Sequence, residues 1–207
     1  MKIRIDLKIL FFLFLFFLTK QLKIYLIIMG FAFLHELAHL ITAKILGFKI
    51  VEFRMMPFGF SICMVPNFKD FNRRMIKTNI IEAKKIIVAF AGPILNLIFA
   101  ILFEKYNEPI LCYSNLTVAI FNLIPIYPLD GGRILKSFFR ILFDKEKANK
   151  YTNYISNFFA ILMTMYIAVG ILYIKNIYLI LILGYVWILV IRENRRYEIS
   201  KRIAKII

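Results

Sequence analysis

Apolar residues fall into six long blocks, at about residues 7–19, 22–47, 83–104, 109–128, 154–174 and 176–192, separated by short charged joints. A helix rises about 1.5 Å per residue, so about 20 apolar residues cross about 30 Å of hydrocarbon. Each block therefore predicts a crossing helix. The first is the shortest, and either uses its flanking Lys and Arg residues as snorkelling anchors or lies shallowly in the interface. It imitates a secretory signal, but Thr19-Lys20-Gln21 offers no small-residue cleavage site, which predicts an anchor that stays attached.

The stretch from Lys49 to Pro66 breaks this pattern. Val51, Phe53 and Met55 alternate with Glu52, Arg54 and Met56, and Phe60, Ile62 and Met64 resume the alternation after Pro57-Phe58-Gly59. Period-two patterning around a turn-forming centre predicts a β-hairpin at the membrane surface. The joint from Asn67 to Lys77 is polar and reads as a loop.

With 61% hydrophobic residues and a mean hydropathy of +0.76, the chain is too apolar for a water-soluble domain. No stretch is left over for a second domain, which predicts one integral unit over 1–207 with a short basic tail at 192–207. The formal charge of +16 would suggest nucleic acid in a soluble protein, but the basic residues collect in alternate joints. Positive-inside placement accounts for them, with both termini and both long joints in the cytoplasm, and excludes a nucleic-acid partner. Cys63 and Cys112 have no CxxC spacing and read as unpaired packing residues.

Candidate chemistry sits in the second block as His35-Glu36-Leu37-Ala38-His39, which holds the only two histidines of the chain. Four residues turn a helix by about 400°, so both imidazoles share one face and can chelate one ion. Glu36 beside them is placed to act as a general base on water. Burying two imidazoles and a carboxylate in a span is costly unless a cation compensates. Catalytic zinc takes three protein ligands and an open position. Of the four aspartates, Asp6, Asp70 and Asp144 fall in polar joints, while Asp130 follows an apolar block in FNLIPIYPLDGG. It is the candidate third ligand, on the same membrane side as the histidines; the competing reading is a carboxylate capping a turn before Gly131-Gly132.

Gly92-Pro93 in the third block, and Pro125, Pro128, Gly131 and Gly132 around the fourth, predict broken helices lining a hydrated pocket. Asn96 and Asn122 either orient a substrate backbone or oxyanion, or make ordinary interhelical hydrogen bonds. Asn96, Asn122, Pro125 and Pro128 are the candidate substrate contacts.

With HELAH, AGPILN and FNLIPIYPLDGG in this order on successive blocks, the chain resembles the site-2 protease family of intramembrane zinc metalloproteases. The MPFG hairpin and LIPIYPLDGGR are most similar to the stage IV sporulation type FB of that family. The resemblance implies an all-α polytopic membrane protein of about six transmembrane helices, with a small membrane-surface β-hairpin near the active site. It implies one Zn2+ per chain on His35, His39 and Asp130, Glu36 as base, and Asn122 and Pro125 near the substrate. It further implies a membrane-associated pro-sigma factor as substrate and two small membrane proteins as inhibitors. Relatives of the sporulation type carry a C-terminal CBS domain, and no such domain is expected within 1–207. The rival readings are a transporter or channel, which would tolerate loss of Glu36, and a catalytically idle membrane module.

Overall fold

In a computed structural model, residues 2–5, 17–18, 20, 22–56, 59–66, 74–174 and 179–206 are described. The elements in chain order are β1 (Lys2–Ile5), α1 (Leu22–Ile45), β2 (Phe48–Met56), β3 (Gly59–Pro66), α2 (Arg74–Lys105), α3 (Pro109–Leu123), α4 (Asp130–Leu142), α5 (Lys145–Ile174) and α6 (Leu179–Ile206). They divide into two compact units, Met1–Asn122 and Leu123–Ile207. Within the described residues three helical stretches are long and apolar enough to cross a membrane, Leu22–Ile45, Asn79–Lys105 and Lys145–Gly170, and Pro109–Leu123 is a shorter apolar helix. Apart from residues 17–18, the first apolar block lies outside the described residues.

In the first unit, α1 is apolar around most of its circumference and leaves Ile24, Leu26 and Ile41 half exposed, as a helix facing lipid does. It ends at Gly47, whose φ of 82° is a left-handed conformation that costs glycine nothing. Leu46 N–H and Gly47 N–H close the last turn on Thr42 O (3.0 Å) and Lys44 O (3.1 Å). Lys84 Nζ donates to the Leu46 carbonyl at 3.1 Å, tying the end of α1 to α2. Ala43, Phe48 and Val88 form the core beneath this corner, with Leu46, Met64 and Ile81 packed against it.

The hairpin forms with Met56 opposite Gly59 and an irregularity between Ile50 and Glu52. It is part of a larger sheet than alternation alone predicts: β1 pairs parallel to β2, Lys2 opposite Glu52 through Ile5 opposite Met55, giving the order β1-β2-β3. Four residues are too few for a period-two signal to stand out.

Helix α2 departs from the sequence reading twice. It begins at Arg74, inside the joint expected to be a loop, and it runs unbroken through Gly92-Pro93 to Lys105. Proline removes one ladder hydrogen bond, a loss that membrane helices tolerate when neighbouring groups re-satisfy the backbone. Phe31 of α1 stacks against Phe99 and Phe103 of α2, with centroids 6.0 and 5.6 Å apart. In α3, polar side chains return to their own helix: Ser114 Oγ donates to Ile110 O, Asn115 Nδ2 to Leu111 O and Asn122 Nδ2 to Val118 O, at 2.6, 2.9 and 3.0 Å.

In the second unit the chain runs from Leu123 through residues 124–129, where Ile126 is fully buried and the Tyr127-Pro128 peptide is cis. It then enters α4, a helix absent from the block pattern because its apolar residues form one stripe rather than a run. Gly131 and Gly132 lie in its first turn, so they do not break a helix but begin one. α5 starts at Lys145, ahead of the apolar block it contains, and α6 continues through the basic tail to Ile206. Trp187 Nε1 donates to Thr164 Oγ1 (3.0 Å) and Asn194 Nδ2 to Asn157 Oδ1 (3.2 Å), joining α6 to α5.

Candidate active site

His35 and His39 project from one face of α1, as their spacing requires, and both are buried, at 3% and 1% exposure. Their rings lie 4.7 Å apart at 86°. Histidine 39 is fixed by its far edge: Nδ1 lies 2.6 Å from the carbonyl oxygen of Val88. A carbonyl can only accept, so Nδ1 carries the proton and Nε2 presents its lone pair. Such a contact behind a ring selects the tautomer that ligates a metal.

What that lone pair faces is defined by Gly92 on α2. A Cβ built there would lie 2.5 Å from His39 Nε2 and 2.6 Å from His35 Nε2. Both nitrogens thus converge on one small volume that exists because residue 92 has no side chain. The sequence marks Gly92 as a helix breaker; its structural role is clearance, for which the signal was a small residue in an apolar span. The Val88 carbonyl is a backbone group and leaves no trace in the residue pattern. Two Nε2 atoms on one void, with Glu36 half-buried on the same helix, form a donor set suited to a borderline-soft divalent ion.

One turn beyond Gly92 on the same face of α2, Asn96 is fully buried. Neither its Nδ2 nor its Oδ1 meets a hydrogen-bond partner among the described residues. An unmade bond of this kind costs about 1–3 kcal/mol. Asn96→Leu, of similar volume, is accordingly expected to raise the thermal midpoint of the purified protein; a fall would show that the carboxamide is satisfied in the folded state. Asn122 differs, since its Nδ2 donates one bond to Val118 O.

The remaining candidates belong to the second unit. Pro125 and Pro128 are half-buried in the loop before α4. Asp130 opens α4 at 4% exposure, where the helix N-terminus favours a carboxylate, and Arg133 Nη1 lies 3.5 Å from Asp130 Oδ1. The double glycine fixes this turn. A Cβ on Gly131 would strike the Leu123 carbonyl oxygen and lie 2.6 Å from Ile124 O, and one on Gly132 would strike Tyr127 N and lie 2.5 Å from Ile126 C. Asp130 is therefore presented by a turn that rests directly on the preceding backbone. Ser156, which the sequence did not single out, holds that loop: its Oγ accepts from Tyr127 N–H at 3.1 Å and donates to Pro125 O at 3.4 Å.

A sequence profile of Peptidase family M50 matches residues 23–104 and 109–166. A zinc metalloprotease of Methanocaldococcus jannaschii is 30% identical over 179 residues, covering 81% of this chain and 48% of that protein. The stage IV sporulation protein FB of Bacillus subtilis is 26% identical over 142 residues, covering 64% of this chain and 46% of its own length. The chain spans about half the length of these curated relatives. Its fold is similar to that of the site-2 protease from Methanocaldococcus jannaschii, with a TM-score of 0.69 at 23% identity over 93% of this chain and 91% of that one.

Proposed function

Because this chain belongs to peptidase family M50, we propose that it is an intramembrane zinc metalloprotease that cleaves a membrane-associated protein. The observation that carries the reading is the convergence of His35 Nε2 and His39 Nε2 on the void beside Gly92, with His39 held in the ligating tautomer by Val88 O. Zinc, held there by the two imidazoles and Asp130, would supply Lewis acidity toward a scissile carbonyl. Glu36 takes the proton of the attacking water and returns it to the leaving amine. Asn96, with an unused carboxamide, Asn122, Pro125 and Pro128 are the substrate contacts. The basic joints support both termini in the cytoplasm.

Glu36→Gln is the direct test, because it removes the base and keeps the imidazoles. Co-expression with membrane-tethered precursor proteins is expected to show cleavage falling about 10²–10⁴-fold, with zinc content unchanged by elemental analysis. Undiminished cleavage would sink the reading. Within this class we favour a sporulation pro-sigma precursor as substrate, from the resemblance of LIPIYPLDGGR to the sporulation type and the relative of that name in Bacillus subtilis. Small membrane inhibitors would act on the same complex.

A helical peptide bond is shielded, so the substrate must be extended before it is cut. The sheet offers a place to hold it. Since β2 is paired on both sides, the substrate adds to the outer edge of β3 by β-augmentation. A proline scan over Ser61–Met64 should slow cleavage at the alternate positions whose N–H points away from β2, with zinc retained; uniform activity across the scan would remove the pairing from the mechanism.

A further inference from the structure

The second unit contains a cavity of about 210 Å³ between α4, α5 and α6 in which every lining side chain carries a polar atom. In a chain that is 61% hydrophobic such a lining is out of character, and polar cavities hold an occupant. The volume is enough for a small oxyanion and a few attached atoms.

The charges around it identify that occupant. Lys136 from α4 and Arg196 from α6 face the cavity against a single acid, Glu193. Lys136 Nζ lies 2.9 Å from Glu193 Oε1, with both side chains about 15% exposed, and 4.0 Å above the ring of Tyr127. Arg196 is exposed and stands at the mouth. Asn153 brings a carboxamide whose Oδ1 is enclosed without a partner among the described residues; turned over, it presents two N–H donors instead. Two cations from different helices plus carboxamide donors suit an anion with several acceptor oxygens, and the excess positive charge repels a metal ion or amine.

Position narrows the source. Asn153 lies in the early turns of the apolar span Lys145–Gly170, and Arg196 lies in the basic stretch from Arg192 to Arg202. Spanning helices that meet a basic stretch at this level contact lipid phosphates, and basic pockets between them bind anionic headgroups.

We propose that this cavity is a phosphate-binding site whose occupancy is felt by the loop that presents Asp130. A phosphate at Lys136 competes with Glu193 and with the Tyr127 ring for the same ammonium. Tyr127 is bonded through its N–H to Ser156, which also holds Pro125 O. The cavity wall and the loop before α4 are thus one hydrogen-bonded piece. Phosphate binding stands independently of the proposed protease activity; the effect on cleavage rests on it.

The experiment uses the full chain in a phosphate-free maltoside detergent, adding either inorganic phosphate or phosphatidylglycerol, with sodium chloride at matched ionic strength as control. Thermal midpoint is the first readout. One phosphate source should raise it by several degrees, and Arg196→Gln, an exposed change that leaves the Lys136–Glu193 pair in place, should weaken the apparent affinity about tenfold. A shift with phosphatidylglycerol alone identifies a lipid headgroup, and a shift with inorganic phosphate identifies a free anion. No shift with either, or a shift of equal size and affinity in Arg196→Gln, overturns the site. Precursor cleavage with and without the effective source is the second readout: a changed rate in wild type, blunted in Arg196→Gln, supports the coupling, and binding with an unaltered rate overturns it.

Discussion

Gly92→Ala is expected to weaken zinc binding at the proposed metal site while leaving the helices intact. The added methyl would stand 2.5 Å from His39 Nε2 and 2.6 Å from His35 Nε2, inside van der Waals contact for both. Neither ring can readily step aside. His39 is tethered behind by Val88 O at 2.6 Å, and the two rings are already packed edge to face at 4.7 Å. Relief must come from pushing α1 and α2 apart or from turning the nitrogens away, and either dissolves the chelate. Alanine is otherwise the better helix former, by about 0.8–1.0 kcal/mol, so intrinsic propensity favours the variant and the clash alone opposes it. Zinc affinity should drop at least about tenfold, on the scale seen when groups supporting a metal site are disturbed. Cleavage should drop with it and helical circular dichroism should be preserved. A zinc affinity in the variant equal to that of the wild type, measured by competition with a chelator, would disprove the packing argument.

Gly131→Ala and Gly132→Ala should act on folding rather than on metal affinity alone. The atoms a Cβ would meet are backbone, Leu123 O and Ile124 O for one and Tyr127 N and Ile126 C for the other, and backbone cannot rotate out of the way. The first turn of α4 would have to lift off the 124–129 loop, unpacking Ile126, which is fully buried. We expect each change to cost about 3 kcal/mol or more, the upper range for overpacking, read as a large fall in thermal midpoint or failure to accumulate in the membrane. Gly30 and Gly184 provide the internal comparison, since a Cβ at either meets nothing within 4 Å. Alanine at these two sites should be neutral or mildly stabilising, and equal damage at all four would show that close approach is not the cause.

Residue types and their spacing carried the parts of the molecule that depend on side-chain chemistry along a single element. HELAH on one helical face, the hairpin from 49 to 66 and the apolar spans all follow from periodicity. The departures have a common physical origin in groups that leave no pattern. Strand β1 is four residues long; α4 hides behind PLDGG, where two glycines read as a turn but serve as a contact surface; and α2 ignores Gly92-Pro93 because one missing ladder bond does not outweigh a span of apolar packing. In the candidate site, His35 and His39 were legible as a pair, whereas Val88 O and the clearance at Gly92 were not, since one is main chain and the other is the lack of a side chain. Asn96 was legible only as a polar residue in a span; its unused carboxamide emerges from packing.

Strand β3 reads Gly-Phe-Ser-Ile-Cys-Met-Val-Pro, without a single charged residue, whereas β2 in the middle of the sheet carries Lys49, Glu52 and Arg54. Edge strands ordinarily bear the gatekeeper charges and central ones do without them. Among the described residues the charges of the sheet thus sit on β1 and β2 and none on the β3 edge, so the pairing proposed for a substrate would compete there with pairing between two copies of the chain, and self-association in concentrated detergent solution should slow cleavage.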